Sequence, residues 1–416
     1  MSTTDAFRGL RCVDCGERHE FDATRCPDCE AALEPTYDLD AVDADALRSA
    51  VDGADSMWAL SPVLPFPAAT ATTAAEGTTP LVDAPQLADE LGVGSVAVKD
   101  ESRNPTGTVL DRGHSLAVTA AAATDVDLLA QATPGNGGQS MAAYAGQHDL
   151  RSYAFVPSRA PFPNKALTNV HGGEMRVVGG RLDDAKASLA TDLAADYYPM
   201  GAFRTPYRHE GAKTVAYEVL ADRGWAAPDA VVVPASTGEL MVGLTKGFRE
   251  AHDLGLVNRV PRLFGVQPAG CAPIAAAWQT GADEVEPWNA PDTIVGELEV
   301  PEPAGGALAL EALADADGAA LAVEDDAILE SAVAVAASAT LEVGAAGGAA
   351  AAGAWALADG EVAGPADDVE GPVGEVSAET DVDATLSTDD DVVLLNTETA
   401  VKTPDILRSH LMGQGV

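Results

Sequence analysis

Four of the five cysteines lie near the start of the chain as two Cys-x-x-Cys pairs, Cys12 with Cys15 and Cys26 with Cys29. Two such pairs about ten residues apart are typical of a tetrahedral zinc site with four thiolate ligands. Four thiolates leave no open coordination position, so this zinc would be structural and would supply much of the folding energy of a short segment. The alternative is two free or redox-active pairs, which normally occur in a thioredoxin-like unit. We predict a zinc ribbon.

A second chemical signal is the run Asn104-Pro-Thr-Gly-Thr-Val-Leu-Asp-Arg-Gly113. It lies between an apolar strand-like run at 95–98 and an Ala-rich helical run at 116–123. A strand, a glycine-containing turn and a helix together form a site that suits an anionic ligand. Two further turns, at 133–138 and 233–240, also follow apolar strand-like runs and precede helical runs.

Apolar runs alternate with helical runs along most of the chain, and this alternation predicts open parallel sheets. The predicted strands are 95–98, 127–132, 153–156, 174–178, 230–233, 262–267 and 392–395. Residues 343–358 are mostly Ala and Gly, which indicates a tightly packed core helix rather than a membrane span of ~20 strongly apolar residues.

The run 104–113 is similar, without a gap, to the motif N-P-T-G-S-F-K-D-R-G of the threonine synthases. These are pyridoxal phosphate (PLP) enzymes of fold type II, the fold of the tryptophan synthase β-subunit. Three further stretches are similar to motifs of the same family. They are residues 76–81 for E-G-G-T-P-L, residues 98–101 for V-K-D-E, and residues 205–214 for N-P-Y-R-x-E-G-x-K-T. The resemblance implies an α/β fold with two open parallel-sheet subdomains around a cleft, preceded by the zinc ribbon.

The resemblance also implies roles for particular residues. The implied cofactor contacts are Asn136 for the phenolic oxygen of PLP, Ser236, Thr237 and Gly238 for its phosphate, and Thr397 for its pyridine nitrogen. Candidate contacts to a substrate or other anion are Lys99, Thr106, Arg112 and Arg208.

The departures from the family pattern fall at three cofactor contacts: the Schiff-base lysine, the phosphate loop, where Ser236, Thr237 and Glu239 replace Gly, Asn and Gly, and the residue after Thr397. Leu110 occupies the place of the Schiff-base lysine, and leucine can neither form an aldimine nor move a proton. Glu239 and Glu398 replace glycines, and a carboxylate at 239 would repel a dianionic phosphate. We therefore predict a catalytically degenerate homologue that binds a ligand or regulates an active relative, and in which any PLP would be held noncovalently.

Two alternatives stay open at this point. One is an active PLP-dependent lyase that converts O-phosphohomoserine to threonine, or carries out a related amino-acid reaction, with Lys99 or Lys213 as its Schiff base. The other is an interaction protein that uses the zinc ribbon as its contact module.

The sequence also predicts where the parts of the chain begin and end. The predicted parts are a zinc ribbon at 1–40, an N-terminal segment at 41–90, a smaller α/β subdomain at 91–205, a larger one at 206–358, a mobile acidic insertion at 359–391, and a closing strand and helix at 392–416.

The formal charge of −41, with a pI near 4.2, is spread over every segment. This composition resembles that of proteins from a haloarchaeal, salt-rich cytoplasm, where a Debye length of about 3 Å at 1 M salt screens the self-repulsion. So acidic a surface argues against nucleic acid as a partner. We expect a cytoplasmic protein without a membrane segment. Its expected partners are a small anionic or amino-acid ligand and either a second copy or an active relative.

Overall fold

The computed structural model describes residues 2–194, 196–360 and 385–413. The strands in these residues, β1 to β13 in chain order, are Phe7–Cys12, Arg18–His19, Leu33–Tyr37, Leu81–Asp83, Ser95–Asp100, Leu128–Ala132, Arg151–Pro157, Glu174–Val178, Tyr198–Pro199, Ala230–Pro234, Arg262–Pro268, Ala319–Val323 and Asp391–Asn396. The α-helices, α1 to α14, are Ala44–Asp52, Pro85–Leu91, Leu110–Ala121, Asn136–Ala145, Phe162–Val170, Leu182–Asp192, Tyr207–Ala212, Thr214–Asp222, Glu239–Asp253, Pro273–Thr280, Gly306–Asp315, Asp325–Ala339, Ala345–Asp359 and Pro404–Leu411.

The chain divides into two compact units, and each is assembled from separate segments. Unit 1 comprises Met1–Thr78, Asn104–Trp225 and Lys246–Asn258. Unit 2 comprises Thr79–Arg103, Ala226–Thr245 and Arg259–Val416.

Unit 1 contains two sheets. The N-terminal sheet has the order β2-β1-β3 and is antiparallel. The second sheet has the order β8-β7-β6-β9 and is parallel throughout. Its strand β6 reads Leu-Leu-Ala-Gln-Ala and is almost wholly buried, as expected of a parallel strand that is covered on both faces. The predicted parallel sheet is confirmed for this unit.

Unit 2 contains one sheet of six strands in the order β12-β11-β10-β13-β5-β4. All neighbours are parallel except β4, which pairs antiparallel with β5 at the edge. Helix α13 lies in the core of this unit and is buried along nearly all of its length. Its Ala and Gly residues allow close packing on the sheet, since a side chain at Gly353 would collide with Val266 of β11. The predicted core helix at 343–358 is thus confirmed.

No helix in the described ranges combines the length and the apolar character that a membrane crossing requires. Most of the predicted acidic insertion, residues 361–384, falls outside the described residues.

The observed units differ from the predicted subdomain boundaries. Residues 91–103 were expected in the smaller subdomain, but β5 pairs in parallel with β13 and therefore belongs to the sheet of unit 2. Residues 206–225 and 246–258 were expected in the larger subdomain, yet they belong to unit 1. Strand pairing and helix packing join segments that are far apart in sequence, so contiguous boundaries could not describe this chain.

Candidate functional site

The run 104–113 forms a turn and the first residues of α3 in unit 1. Gly107 has a φ of +73°, a conformation that favours glycine, and its N–H donates to Asn104 O at 2.8 Å. Thr106 donates its N–H to Asp111 Oδ2 and its hydroxyl to Asp111 Oδ1, each at 2.6 Å. Asp111 lies in the first turn of α3, where a carboxylate interacts favourably with the helix dipole. The hydroxyl of Thr106, a predicted anion contact, therefore already donates to a carboxylate within the turn.

Leu110 is the first residue of α3, and its side chain is half-buried. The turn before it retains the hydrogen bond from Gly107 N–H to Asn104 O, but the helix begins with an isobutyl group. An alkyl side chain has no lone pair and no titratable proton. Position 110 can therefore pack against a ligand but cannot act as a nucleophile, acid or base.

Arg112 is fully buried in α3 and is paired within unit 1. Its Nη1 and Nη2 donate to Oε1 and Oε2 of Glu218 at 2.6 and 2.7 Å, and Nη1 also donates to Thr214 Oγ1 at 3.0 Å. A bidentate arginine–carboxylate pair is among the stronger polar interactions in proteins. This pairing argues against the predicted role of Arg112 as a ligand contact, because its charge is balanced inside the protein.

Arg208 of α7 is buried and belongs to a hydrogen-bonded network in unit 1. Its Nη1 donates to Gln131 Oε1 at 3.0 Å and to Met200 O at 2.8 Å. Gln131 in turn donates its Nε2 to Gly137 O at 2.8 Å. The network therefore fixes Arg208 beside the loop of residues 133–138.

Asn136 begins α4 and is buried at the end of that loop. The side chain of Asn164, in the first turn of α5, lies against the same loop, and a Cβ at Gly135 would come within 2.6 Å of Asn164 Nδ2. Asn164 is 1% exposed, and neither of its amide atoms forms a hydrogen bond with a described residue. No motif residue in the sequence marks Asn164 as part of a site.

Lys213 is fully buried in a charged cluster of unit 1. Its Nζ lies 2.5 Å from Glu210 Oε1, 2.8 Å from Glu250 Oε2 and 4.0 Å from the centre of the Tyr37 ring. Tyr37 lies on β3 of the N-terminal sheet and donates its hydroxyl to Glu210 Oε1 at 2.6 Å. Burial acts to raise the pKa of Glu210, but Lys213 and Lys246 outweigh it and lower that pKa. The amine of Lys213 therefore joins the ribbon to α7 and α9.

In unit 2, Lys99 is fully buried on β5 and donates its Nζ to Thr79 O at 2.6 Å. This bond holds the amine against the main chain that leads into β4. Lys99 is therefore engaged within its own unit.

The loop after β10 carries the residues predicted to bind a phosphate. Ser236 and Thr237 are half-buried, and Gly238 has a φ of +91°. A Cβ at Gly238 would lie 2.8 Å from Gly305 O, so only glycine fits there. Glu239 begins α9, is buried, and accepts a hydrogen bond from Thr237 Oγ1 at 3.3 Å. A carboxylate thus lies at the helix N-terminus where the phosphate was expected.

Thr397 and Glu398 follow β13 in unit 2, and both are buried. A Cβ at Gly344, the residue before α13, would lie 2.8 Å from Glu398 Oε1, so the acid packs tightly against the start of that helix. Another buried acid is Glu297. Its burial, and next the negative charge of Glu398, raise the pKa of Glu297 to about 8, while the charge of Lys402 opposes them. Glu297 lies in an irregular segment that no sequence motif marks.

The structure brings the four predicted metal ligands together. Cys12 Sγ lies 3.4 Å from Cys29 Sγ, Cys15 Sγ lies 3.6 Å from Cys26 Sγ, and all four sulfur atoms lie within 4.8 Å of one another. Four Zn–S bonds of ~2.3 Å in a tetrahedron would separate the sulfur atoms by about 3.8 Å. The four cysteines could therefore hold a zinc ion.

Both halves of this cluster share one backbone conformation. Gly16 follows the first pair with a φ of +76°, and Glu30 follows the second pair with a φ of +59°. The Gly16 N–H donates to the carbonyl oxygen of Cys12 at 3.2 Å, and the Glu30 N–H donates to that of Cys26 at 2.9 Å. Burial opposes ionisation of Cys12, but the main-chain N–H groups of Cys15 and its neighbour Asp14 lower the pKa of its thiol to about 6. Main-chain N–H groups therefore favour the thiolate of Cys12, whereas at Cys15 the N–H of Glu17 acts in the same direction but the neighbouring Cys12 outweighs it and raises the thiol pKa.

Residues 72–369 match the family described as pyridoxal-phosphate dependent enzyme. The chain is 31% identical over 330 residues to the threonine synthase of Methanocaldococcus jannaschii, covering 77% of this chain and 80% of that protein. It is 29% identical over 323 residues to that of Methanosarcina acetivorans, covering 77% and 79%. The chain belongs to the threonine synthase family of PLP-dependent enzymes.

Solved structures agree on the fold. Threonine deaminase isoform 2 from Solanum lycopersicum superposes with a TM-score of 0.64 at 18% identity, covering 89% of each chain. Maize serine racemase gives a TM-score of 0.63 at 16% identity, covering 90% of this chain and 98% of that one. At these identities the likeness concerns the fold alone, and it confirms the predicted fold type II.

The residues of this chain fit PLP poorly. The aldehyde carbon of PLP needs a primary amine, and the position that corresponds to it is Leu110. A phosphate dianion at the N-terminus of α9 would meet the buried side chain of Glu239 in the place where the family has a glycine. Glu398 adds a second buried carboxylate next to Thr397. The residues present suit neither the phosphate nor the aldehyde of the cofactor.

Proposed function

We propose that this member of the threonine synthase family carries out no Schiff-base chemistry and acts as a ligand-binding or regulatory homologue. The observation that carries the proposal is Leu110. It begins α3 directly after an intact motif turn, in the place where the family has its lysine. Asn104 to Gly107 and Asp111 are kept, whereas Thr108, Val109 and Leu110 stand in place of the family's Ser-Phe-Lys. Of these three changes, only the one at 110 removes a reactive group.

The other lysines support the same proposal. Lys99 donates to a main-chain carbonyl at 2.6 Å, and Lys213 lies between two carboxylates. Lys246 lies 2.7 Å from Glu210 Oε2 and donates to Pro35 O at 2.6 Å. A replacement Schiff base would have to leave such partners and also reach the aldehyde of the cofactor in a workable orientation, which is costly.

The polar groups that remain in unit 1 support a small ligand with a carboxylate. Arg208 is fixed beside the loop of residues 133–138, and Asn136 and Asn164 contribute amide groups to the same loop. Amide and guanidinium N–H groups are suitable donors for a carboxylate or another anion. The ligand we propose is therefore an amino acid or a small anion, bound by a homodimer or by a heteromer with an active relative.

The decisive experiment uses PLP followed by borohydride reduction and peptide mass spectrometry, on wild-type protein purified in high salt. We expect no pyridoxyl-lysine in the wild type. The variant Leu110→Lys restores the amine but keeps Glu239, so we expect weak labelling. The double variant Leu110→Lys/Glu239→Gly removes the opposing carboxylate and should be labelled at residue 110. Near-stoichiometric labelling of one lysine in the wild type would refute the proposal.

A second candidate function is favoured by the relatives, which are threonine synthases that align over most of their length. It is the conversion of O-phosphohomoserine to threonine with a lysine at another position. This activity requires release of phosphate from O-phosphohomoserine together with formation of threonine. If both products appear, and a single Lys→Ala change at Lys99 or Lys213 abolishes them without unfolding the protein, this candidate replaces the first.

A further inference from the structure

Helix α7 of unit 1 carries Arg208 and is also contacted by the zinc ribbon, residues 1–40. Arg208 is 8% exposed, and its Nη1 donates to Gln131 Oε1 at 3.0 Å and to Met200 O at 2.8 Å. The helix has only six residues, Tyr207–Ala212. So short a helix is not stable by itself, and its position depends on what packs against it.

Two hydrogen bonds join the ribbon to α7 on both sides of Arg208 in the sequence. Tyr207 donates its hydroxyl to the carbonyl oxygen of Phe21, which lies between the two cysteine pairs. Glu210 Oε1 accepts a hydrogen bond from the hydroxyl of Tyr37 on β3 at 2.6 Å. The ribbon therefore contacts the residue before Arg208 and a residue shortly after it.

Strand β3 contributes further contacts. Glu34 Oε1 lies 3.4 Å from His209 Nε2. The carbonyl oxygen of Pro35 accepts a hydrogen bond from Lys246 Nζ at 2.6 Å, and the same Nζ lies 2.7 Å from Glu210 Oε2. With Tyr207, His209 and Glu210, half of the residues of α7 contact the ribbon.

The ribbon has little apolar core of its own. In residues 2–40 the buried apolar side chains are Ala6, Leu10, Cys12, Cys26, Leu33 and Pro35. Two of these six are candidate metal ligands. Strand β3, which contacts α7, pairs with β1 through Leu33 and Cys12. A metal ion held by the cysteines would therefore supply much of the order of β3.

On another side, α7 packs directly on α3. A Cβ at Gly113 would lie 2.7 Å from Arg208 O, and one at Gly211 would collide with Arg112 O. The side chain of Arg112 is held by Glu218 of α8. Arg112 and Arg208 thus lie in one unit, but the printed partners of Arg112 come from α8, whereas the helix of Arg208 contacts the ribbon.

We infer that a metal ion in the ribbon positions Arg208. With the four thiolates bound to zinc, β3 and the loop at Phe21 hold α7 and keep Arg208 beside the loop of residues 133–138. Without the metal the ribbon loosens, and Arg208 loses its fixed position. The inference rests on the proposed function for the role of Arg208 as a ligand contact, and it adds that the metal controls this contact.

Phenylglyoxal labelling of arginine, followed by peptide mass spectrometry, tests the inference on the full chain in high salt. The reagent reacts with guanidinium groups that become accessible, so the rate at each arginine reports local opening. We expect Arg208 to react about tenfold faster after a chelator has removed zinc under reducing conditions, a coupling of ordinary size between two sites. Arg112 should react at the same slow rate in both forms.

Two variants of neighbouring ribbon residues locate the coupling. Tyr37→Phe keeps the aromatic ring but removes the hydroxyl that bonds to Glu210. Its zinc content should equal that of the wild type, and Arg208 should react at a rate between those of zinc-loaded and zinc-free wild type. Asp38→Asn disrupts an exposed pair with Arg8, in which both side chains are 43% exposed, and should leave the rate at Arg208 unchanged. Each variant must first show wild-type circular dichroism and cooperative melting.

Four results would overturn the inference. They are a chain that binds no zinc, equal rates at Arg208 with and without zinc, a rate at Arg112 that rises together with that at Arg208, and a wild-type rate at Arg208 in zinc-loaded Tyr37→Phe. The third would show that the metal stabilises unit 1 as a whole. The comparison of zinc-loaded with zinc-free wild type depends on no variant.

No ligand is added in this experiment, so its failure leaves the proposed function standing. A stoichiometric PLP adduct in the wild type would sink the proposed function, whereas the labelling rates would still report whether the metal positions Arg208.

Discussion

The pair formed by Arg112 and Glu218 allows a direct test of whether Arg112 is structural. Its side chains are 0% and 5% exposed, and two hydrogen bonds of 2.6 and 2.7 Å join them. Replacing Glu218 with Gln keeps the shape of the side chain but removes its charge, so the buried guanidinium loses its bidentate carboxylate. Breaking a buried pair in this way costs about 3–5 kcal/mol. We expect a loss of that size in the free energy of unfolding.

The matched control is the exposed pair of Arg151 and Glu174, whose side chains are 61% and 55% exposed and 2.7 Å apart. Glu174→Gln removes the same charge within the same unit, and we expect no measurable change. Both variants are compared by urea unfolding, followed by circular dichroism, at low salt and at about 1 M KCl, where the Debye length is about 3 Å. The effect of Glu218→Gln should persist at high salt, since buried pairs are screened much less.

A loss below about 1 kcal/mol for Glu218→Gln would refute this reasoning, because that is the size expected of a solvated surface pair. Arg112 would then again be a candidate anion contact. An equal loss for both variants would show that net charge, rather than burial, governs stability in this protein.

Three further predictions concern the other sites. Protein produced with zinc should contain one metal ion per chain by elemental analysis. The variant Cys15→Ser should bind no ion, and the amides of β1 and β3 should lose their protection from hydrogen exchange. Metal-free protein in which these amides stay protected would contradict this prediction. The charges of Glu398 and Lys402 act on buried Glu297, whose pKa is about 8 in the folded state against about 4.3 in the unfolded state. Between these pH values the folded state holds more protons than the unfolded state. The free energy of unfolding should therefore fall as the pH rises, by up to about 1.4 kcal/mol per pH unit. Glu297→Gln should flatten that slope in pH-dependent urea titrations, and an unchanged slope would disprove the assignment. Gly238→Ala should lower the melting temperature of the protein more than Gly255→Ala does. Both glycines have a positive φ, but only a Cβ at Gly238 would meet other atoms within 4 Å. Equal melting temperatures would show that the loop at Gly238 relaxes.

All seven strands predicted from the sequence are observed, because they are short apolar runs between turn residues, whereas β12 and five other strands of the described residues were not predicted. Glu174–Val178 matches its prediction residue for residue, and the strand predicted at 262–267 is observed as Arg262–Pro268. Helix α3 begins at Leu110, earlier than the predicted helical run at 116–123, because the motif turn passes directly into the helix. The local pattern was sufficient for these elements.

Pairing over long distances could not be predicted from local pattern. Strand β5 was assigned with the residues that follow it, but its hydrogen-bonding partner β13 lies almost 300 residues later. Lys213 was a candidate Schiff base because of its motif, whereas its partners Tyr37 and Glu250 come from separate segments. Burial and charge at Glu297 depend on residues near 400. The salt adaptation, the cytoplasmic location and the oligomeric partners stay predictions.

The central position of β13 has a consequence for biosynthesis. This strand lies between β10 and β5 in the sheet of unit 2, and among the described strands it is translated last. Until it leaves the ribosome, β10 and β5 each have an apolar edge with unpaired N–H and C=O groups, which is a template for aggregation. Unit 1 receives its last segment, Lys246–Asn258, much earlier and can fold while translation continues. The nascent chain should therefore depend on chaperones mainly through unit 2.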